Sequence, residues 1–401
     1  MFKTAESSTT DLKHYAIVGA YATLLLSVIA FFTPLISKLS ATGADYIPHL
    51  KWASDIEQQG ALILPHPLYH LLVIGVRHLL SIGFVDASTI VVVLSIFALA
   101  VLNFRILKSC CSLKTALLLS FCLLVVTPIQ LLYFTDQHLY FGYIGITLYH
   151  SPTMLLLKPL SVIVFCCALK AADDPSQNTL KSGLLFAIAL FLCGISKPSF
   201  LMVVLPAFVM FLLVIQQLKP MLKRPFIYCA FFLPIFSLLS LQFIQTYLQQ
   251  NLSQGTGHEE SHIVIMPFET MSHYSGFLIA KFFLSIAFPL AVFCCYPKAS
   301  VKDKPMVFSL LCLLVGVILT YVFAESGYRM YSGNFWWSGQ IGLYLIFLFS
   351  LMFLLRNRLV LIGTMSGKIK FYLCMLMFFF HTVFGLFFFK QELLMPYGQY
   401  W

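Results

Sequence analysis

"PLYHLLVIGVRHLLSIGF", residues 67–84, is apolar enough to pass for a membrane span, yet it carries His70, Arg77 and His78. It begins at Pro67, which closely follows Pro65. A charged side chain at the bilayer centre costs about 2.5–3.5 kcal/mol on insertion scales. The same helix lying flat keeps its charges in water and its leucines in the acyl boundary. The segment therefore reads as an interfacial helix, and the threading of the whole chain depends on that reading.

The setting around it is a membrane. Of 401 residues, 60% are hydrophobic and 10% charged, with a mean hydropathy of +0.90. A soluble domain carries about 25% charged residues. Twelve apolar segments follow one another: 14–37, 67–84, 87–107, 113–134, 153–171, 182–196, 199–217, 226–246, 277–296, 306–324, 335–355 and 370–389. If all twelve crossed, Arg105, Lys108 and Lys114 would face away from Lys3 and Lys13, against the tendency of basic residues to gather in cytoplasmic loops. With 67–84 flat, about eleven crossings remain, the N-terminus inside and the C-terminus outside. Of the 25 Lys and Arg residues, only Lys38, Lys51, Arg77, Lys158, Lys197, Lys281, Arg329 and Lys390 then lie outside or near outer ends.

The expected fold is an all-α polytopic membrane protein, a single transmembrane domain over 1–401, with two interfacial helices in the first outer loop. The run 14–37 is too long for a signal-peptide core and lacks a small-residue cleavage site, so it reads as a retained first span. The short "SKPS" (196–199) makes the outer turn between two short segments. The excess of +10 charges is topology information and not a sign of nucleic acid. The eleven cysteines lie in apolar runs or beside basic loops, with no C-x-x-C spacing, which argues against a disulfide framework or a metal centre. The long polar loops 38–86, 135–152, 247–276 and 325–334 share the outer face. That argues against a cytosolic nucleotide as direct substrate. No internal repeat is visible, which weakens a transporter reading.

The first outer loop contains "TGADYIPHLKWASDIEQQG", residues 42–60. From Pro48 its spacing predicts a surface helix, with Leu50, Trp52, Ala53 and Ile56 toward lipid and Lys51, Asp55 and Gln58 toward water. Asp45 precedes that helix. It suits a general base that accepts a hydroxyl proton, or a helix cap. His49 is an orienting residue or a plain interfacial histidine. Lys158, Lys197, Lys281 and Arg329 stand against the positive-inside bias. A lipid-linked phosphate would account for all four at once; snorkelling to head groups is the bland alternative.

In "ESGYRMYSGNFWW" (325–337), Glu325 and Arg329 are spaced to pair on a helical turn. Tyr328, Tyr331, Trp336 and Trp337 suit stacking on a sugar or isoprenoid, or an aromatic belt. Loop 247–276 holds His258, Glu259, Glu260, His262 and His273, and reads as a flexible substrate lid in preference to a zinc site, because Gly255 and Gly257 interrupt it. Asn251 matches a glycosylation sequon of low specificity. His381, in the Phe-rich last span, reads as a satisfied core residue.

An acidic residue directly after the first span, followed by two surface helices, resembles the GT-C class of integral membrane glycosyltransferases. The blocks "DYIPHLKWA" (45–53), "HPLYHLLV" (66–73), "YHSPTMLLLKPL" (149–160), "SKPSFLMVVLPA" (196–207) and "ESGYRMYSGNFWW" carry the likeness to small bacterial members. The resemblance implies transfer from a polyprenyl-phosphate-linked sugar to a glycan or lipid-linked acceptor at the extracytoplasmic side of the bacterial inner membrane. It implies Asp45 and His49 as catalytic residues and Lys158, Lys197, Lys281 and Arg329 at the donor phosphate. Glu325, Tyr328, Tyr331 and His150 would contact substrate. Many members carry an acidic pair in the first loop, but Asp45 has no acidic neighbour before Asp55, so neither a divalent metal nor a soluble cofactor is indicated. A polysaccharide polymerase would show arginine-rich outer loops, and a flippase would show charges along a central path through the membrane.

Overall fold

A computed structural model describes residues 4–62, 64–173, 179–248 and 261–399, with side chains from residue 15 onward. The principal helices are α1 (Thr4–Thr42), α2 (Tyr46–Gln59), α3 (Leu68–Leu80), α4 (Phe84–Lys108), α5 (Leu113–Val125), α6 (Pro152–Asp173), α7 (Leu180–Ser196) and α8 (Ser199–Val214). They continue with α9 (Pro225–Leu248), α10 (Leu278–Cys295), α11 (Lys304–Val322), α12 (Trp336–Arg356) and α13 (Met365–Leu394). Strands β1 (Ile263–Ile265) and β2 (Phe323–Glu325) pair antiparallel, with Ile263 opposite Glu325. Among the described residues, eight helices, α1, α4, α6 and α9 to α13, are long and apolar enough to cross a membrane, while α3, α5, α7 and α8 are shorter apolar helices. Large apolar side chains such as Leu26, Leu184, Phe191, Ile279 and Val383 stand exposed on the outside. A protein in water rarely tolerates so wide an apolar surface.

The core is built on α12, which is buried along its whole apolar window. Small residues bring α11 against it. A Cβ on Gly316 would stand 2.5 Å from the Ser338 carbonyl oxygen, and one on Gly342 would stand 2.7 Å from that of Cys312. Such close backbone approach is how helices gain contact where lipid offers no hydrophobic drive.

The segment expected to span at 113–134 is helical only to Val125. Thirteen residues rise about 20 Å, short of the roughly 30 Å hydrocarbon core. The cause is local: Pro128 disfavours helix at Thr127 and offers no N–H of its own. The chain continues extended, and Val126, Thr127, Ile129 and Gln130 are all buried. Non-helical backbone at such depth must be satisfied by protein. Thr127 N–H donates to the His381 carbonyl at 3.2 Å, and Ile129 N–H donates to that of Leu284 at 3.2 Å. His381 completes the junction as the satisfied core residue expected. Its Nε2 accepts from Phe288 N–H at 3.4 Å, so its Nδ1 carries the proton given to the Thr127 carbonyl at 2.6 Å.

Gly385 lets α13 approach this junction, since a Cβ there would fall 1.7 Å from the Val125 carbonyl oxygen. Gly385→Ala should therefore separate α13 from the end of α5. We expect a loss at or above the usual overpacking cost of about 1–3 kcal/mol, read as a lower melting temperature in detergent. An unchanged melt would mean that the helices do not meet so closely.

Contacts divide the bundle into two ends. At one, Lys304 pairs with Asp173 and Arg356 with Asp303, while Tyr296 Oη donates to the Gly367 carbonyl. At the other, Lys38 Nζ donates to the carbonyls of Glu392, Leu393 and Met395 at 2.8, 3.2 and 2.5 Å. The polar loops gather at this second end.

Helices α2 and α3 pack together there. Glu57 accepts from Arg77 at 2.6 Å and lies 2.6 Å from His78 Nε2, and the Arg77 guanidinium covers the Phe84 ring at 4.7 Å. The faces of α2 differ from expectation. Ala53 and Ile56 are buried with Tyr46 and His49, so much of the face assigned to lipid packs on protein. Helix α3 turns Tyr69, His70 and Val73 inward and leaves Leu71, Leu72, Leu79 and Leu80 exposed.

Candidate functional site

The corner between α1 and α2 places Asp45. The chain turns tightly at Gly43, where a Cβ would meet the Leu39 carbonyl oxygen at 2.7 Å. Asp45 follows at the N-cap position of α2, but its own backbone is already right-handed helical and its side chain makes no capping hydrogen bond. The capping alternative therefore does not account for this carboxylate. The next residue fixes what surrounds it. Buried Tyr46 donates its hydroxyl to the Tyr149 carbonyl at 2.9 Å, which pins the loop carrying His150.

His150 is buried, edge-on to Tyr140 at 5.1 Å and tilted against Trp337 at 6.0 Å. Burial pushes its imidazole down to about 4 even though the Asp45 charge opposes that shift. Lys197, just beyond the end of α7, is half-buried. Its ammonium sits 4.0 Å over the Trp337 ring and 3.4 Å from Thr153 Oγ1. Burial lowers it to about 8, again with Asp45 pulling the other way. Asp45, His150 and Lys197 thus form one electrostatic group drawn from three separate parts of the chain.

A second layer lies beside it. His49 Nδ1 is 3.0 Å from His70 Nε2, and His49 packs edge-on to Trp52 and Tyr69 at 5.0 and 5.8 Å. It is not the plain interfacial histidine allowed for: it faces α3, because α2 turns that side inward. Tyr69 is anchored through Ser88 at 2.7 Å, which meets Ser40 at 2.9 Å. Burial first, then the charges of Lys197, His70 and Arg329, hold the His66 imidazole down to about 3. Burial brings His70 to about 4, and burial with its cationic neighbours lowers His49 strongly. At neutral pH all these imidazoles are uncharged, able to give or accept one hydrogen bond per nitrogen.

The far side of the site is Glu325, 2% exposed on β2. It accepts from Arg329 Nε at 2.8 Å, from Tyr247 Oη at 2.7 Å and from Asn334 Nδ2. The expected Glu325–Arg329 pair exists, but the chain between them runs from strand into the 3-10 turn Gly327–Arg329 and not along a helix. The left-handed Gly327 makes that change of direction possible. Tyr328 is exposed at 42%. Tyr331 stacks on His273 with ring centres 3.8 Å apart, and its carbonyl accepts from Tyr274 Oη at 2.7 Å.

The other two expected phosphate cations are occupied elsewhere. Lys158 Nζ donates to the Ile146 carbonyl at 2.6 Å. Lys281 gives its three N–H groups to Asp136 at 2.5 Å, Ser275 Oγ at 2.6 Å and the Phe141 carbonyl at 2.8 Å. Both ammonium groups hold the irregular chain between α5 and α6, whose carbonyls have no helix to serve them. Sequence reasoning missed His66 and Tyr140 as members of the site. His66 and His70, four residues apart around Pro67, were the available signal.

Among the described residues, no group of three His, Cys, Asp or Glu side chains is placed to hold a metal ion. Asn251, His258, Glu259 and Glu260 lie outside the described residues. Of the expected lid, residues 247–248 end α9, and 261–276 hold β1 and the short helix Glu269–Tyr274. The site as a whole offers a carboxylate, two cations, neutral imidazoles and aromatic faces, which together can accept a proton and steady an anionic leaving group. No protein-family model matches this chain, and a search of curated proteins finds no match.

Proposed function

We propose that the chain is a membrane glycosyltransferase that moves a sugar from a polyprenyl-phosphate donor to a lipid-linked or cell-surface glycan on the extracytoplasmic face. The observation that carries this reading is Asp45: a carboxylate without capping duty, facing Lys197 and His150 where the polar loops converge. In the reaction Asp45 accepts the acceptor hydroxyl proton as that oxygen bonds to the anomeric carbon. The bond from carbon to phosphate oxygen breaks, and the polyprenyl phosphate departs with the electron pair. Lys197 and Arg329 stabilise its charge, the kind of electrostatic help that acts at the developing anion. Neutral His150 and His49, with Tyr328, orient the sugar and acceptor. Lys158 and Lys281 contribute indirectly, by shaping the loop on which His150 sits.

The threading belongs to the same proposal. About eleven segments cross, α5 being completed by its extended continuation, while α2 and α3 lie on the outer surface. In a cysteine-free background, Lys51→Cys should react with an impermeant thiol reagent from outside, whereas Lys302→Cys should react only after permeabilisation. The reverse pattern would overturn the orientation.

The activity itself is tested with purified protein in liposomes carrying polyprenyl-phosphate sugars and a lipid-linked glycan acceptor. Mass spectrometry should show the acceptor heavier by one sugar and free polyprenyl phosphate in equal amount. No transfer from any hexosyl or pentosyl donor would sink the reading. The pH dependence follows from Lys197. Its lowered pKa leaves the cation intact below about 8 and discharges it above. The donor KM should therefore climb as pH rises through 8, and Lys197→Arg, always charged, should flatten that limb. A KM indifferent to pH between 7 and 9 would remove Lys197 from donor binding.

A further inference from the structure

Glu325 stands where a substrate contact is expected, but its backbone and its carboxylate are both fixed. On β2 it lies opposite Ile263 of β1. The residue after it is clamped by the same strand: Ser326 N–H donates to the His262 carbonyl at 2.8 Å, His262 N–H donates to Ser326 Oγ at 2.9 Å, and Ser261 Oγ donates to the Ser326 carbonyl at 2.9 Å. Farther along, Thr270 Oγ1 donates to the Met330 carbonyl at 3.1 Å. Residues 261–274 thus strap the loop down along its length. The carboxylate is seated as firmly. Oε1 accepts from Tyr247 Oη and Arg329 Nε, and Oε2 accepts from Asn334 Nδ2. With these donors in place and 2% exposure, it presents almost no surface to a sugar hydroxyl. Two of the donors lead to cations. Arg329 gives its Nε hydrogen to Glu325, while its other four N–H groups sit on the two Nη nitrogens, and the side chain is 24% exposed. That edge of the fork suits a bidentate phosphate contact. From Asn334 the chain runs into α12, where Trp337 lies under the Lys197 ammonium at 4.0 Å. One buried carboxylate therefore ties Arg329 to the chain that carries Lys197 on its ring.

We propose that Glu325 is a positioning residue and not a substrate contact: held by Tyr247, Asn334 and the strap 261–274, it fixes the Arg329 guanidinium so that the Nη edge is presented to the donor phosphate. An arginine loses rotamer freedom when it grips an anion. One already held by a buried carboxylate has lost that freedom on folding, so the phosphate binds a prepared group. The role in transfer rests on the transferase reading; the fixing of Arg329 by Glu325 does not.

The test separates the two. Labelling with phenylglyoxal, an arginine-specific dicarbonyl, is measured first, in detergent and without donor, with adducts counted by peptide mass spectrometry against exposed Arg358. The reagent attacks the neutral guanidine, a form that a neighbouring carboxylate disfavours. Glu325→Gln should therefore raise labelling at Arg329 by about tenfold, and unchanged labelling overturns the fixing, whatever the enzyme does. Transfer kinetics come second. Glu325→Gln should lower donor kcat/KM by about tenfold, the scale of one side chain left to be immobilised on binding. In an Arg329→Ala background the same substitution should change kcat/KM by less than about twofold, because a residue that acts through another has no effect once the other is gone. Losses that multiply would mean that Glu325 meets the substrate itself, and they overturn the positioning role; so does an unchanged kcat/KM in Glu325→Gln alone. Tyr247→Phe loosens the carboxylate while keeping the charge pair. It should move both readings the same way by about threefold, and it decides the matter if Glu325→Gln does not keep its melting temperature. Absence of transfer in the unmodified protein counts against the transferase reading alone, and the labelling still decides how Arg329 is held.

Discussion

Asp45→Asn should give a protein that is made, inserted and melted like the original, yet turns over about 10²–10⁴ times more slowly, the usual span for a general base. The substitution keeps size and polarity. It cannot disturb a helix cap, both because asparagine caps as well as aspartate and because the native side chain makes no such bond. What it removes is the ability to take a proton and the negative charge facing Lys197 and His150. Asp55→Asn and Glu57→Gln serve as controls on the same helix, since neither faces that group. Donor binding by calorimetry must accompany the kinetics. Near-normal turnover in Asp45→Asn would end the proposed mechanism, and a loss of donor affinity equal to the loss of rate would move Asp45 from base to binding group.

The second large effect concerns stability. Lys281 is fully buried and shares its charge with Asp136. Removing one partner of a buried pair typically costs 3–5 kcal/mol, because the other charge is left unpaired, whereas replacing both with apolar groups is far milder. Asp136→Ala should therefore lower the melting temperature sharply, and Asp136→Leu with Lys281→Met should restore most of it. The opposite outcome is equally informative. If Lys281→Met leaves the melt unchanged but raises donor KM, the lysine belongs to the phosphate site after all.

How much of this was legible in the sequence depends on the distance over which each signal acts. The apolar runs and the polar first loop are local patterns, so the helical membrane class, the break at Lys197–Pro198 and the helices α2 and α3 were readable. The early end of α5 was marked by Thr127–Pro128, but hydropathy averages over proline and hid it. The inward turn of α2 was invisible, because an amphipathic helix shows the same periodicity whether its apolar face meets lipid or α3. Lys158 and Lys281, singled out for their place in apolar runs, are indeed buried, at 2% and 0% exposure. Their partners were not readable, since Lys281 finds Phe141 and Lys158 finds Ile146 through backbone carbonyls that carry no sequence mark. The grouping of Asp45 with Lys197 and His150 joins residues over a hundred positions apart and needs the fold.

The junction at Thr127 also sets an order of events during synthesis. Helix α5 leaves the ribosome long before His381 does, and until α13 arrives the amide and carbonyl of Thr127 lack the partners they have in the finished protein. A thirteen-residue helix with an unpaired extended tail is a poor substrate for stable insertion on its own. Nascent chains arrested before α13 should thus hold α5 loosely, accessible to thiol reagents placed at residues 126–130. Chains carried past residue 394 should protect them. The last helix is, in this sense, the one that licenses the fifth.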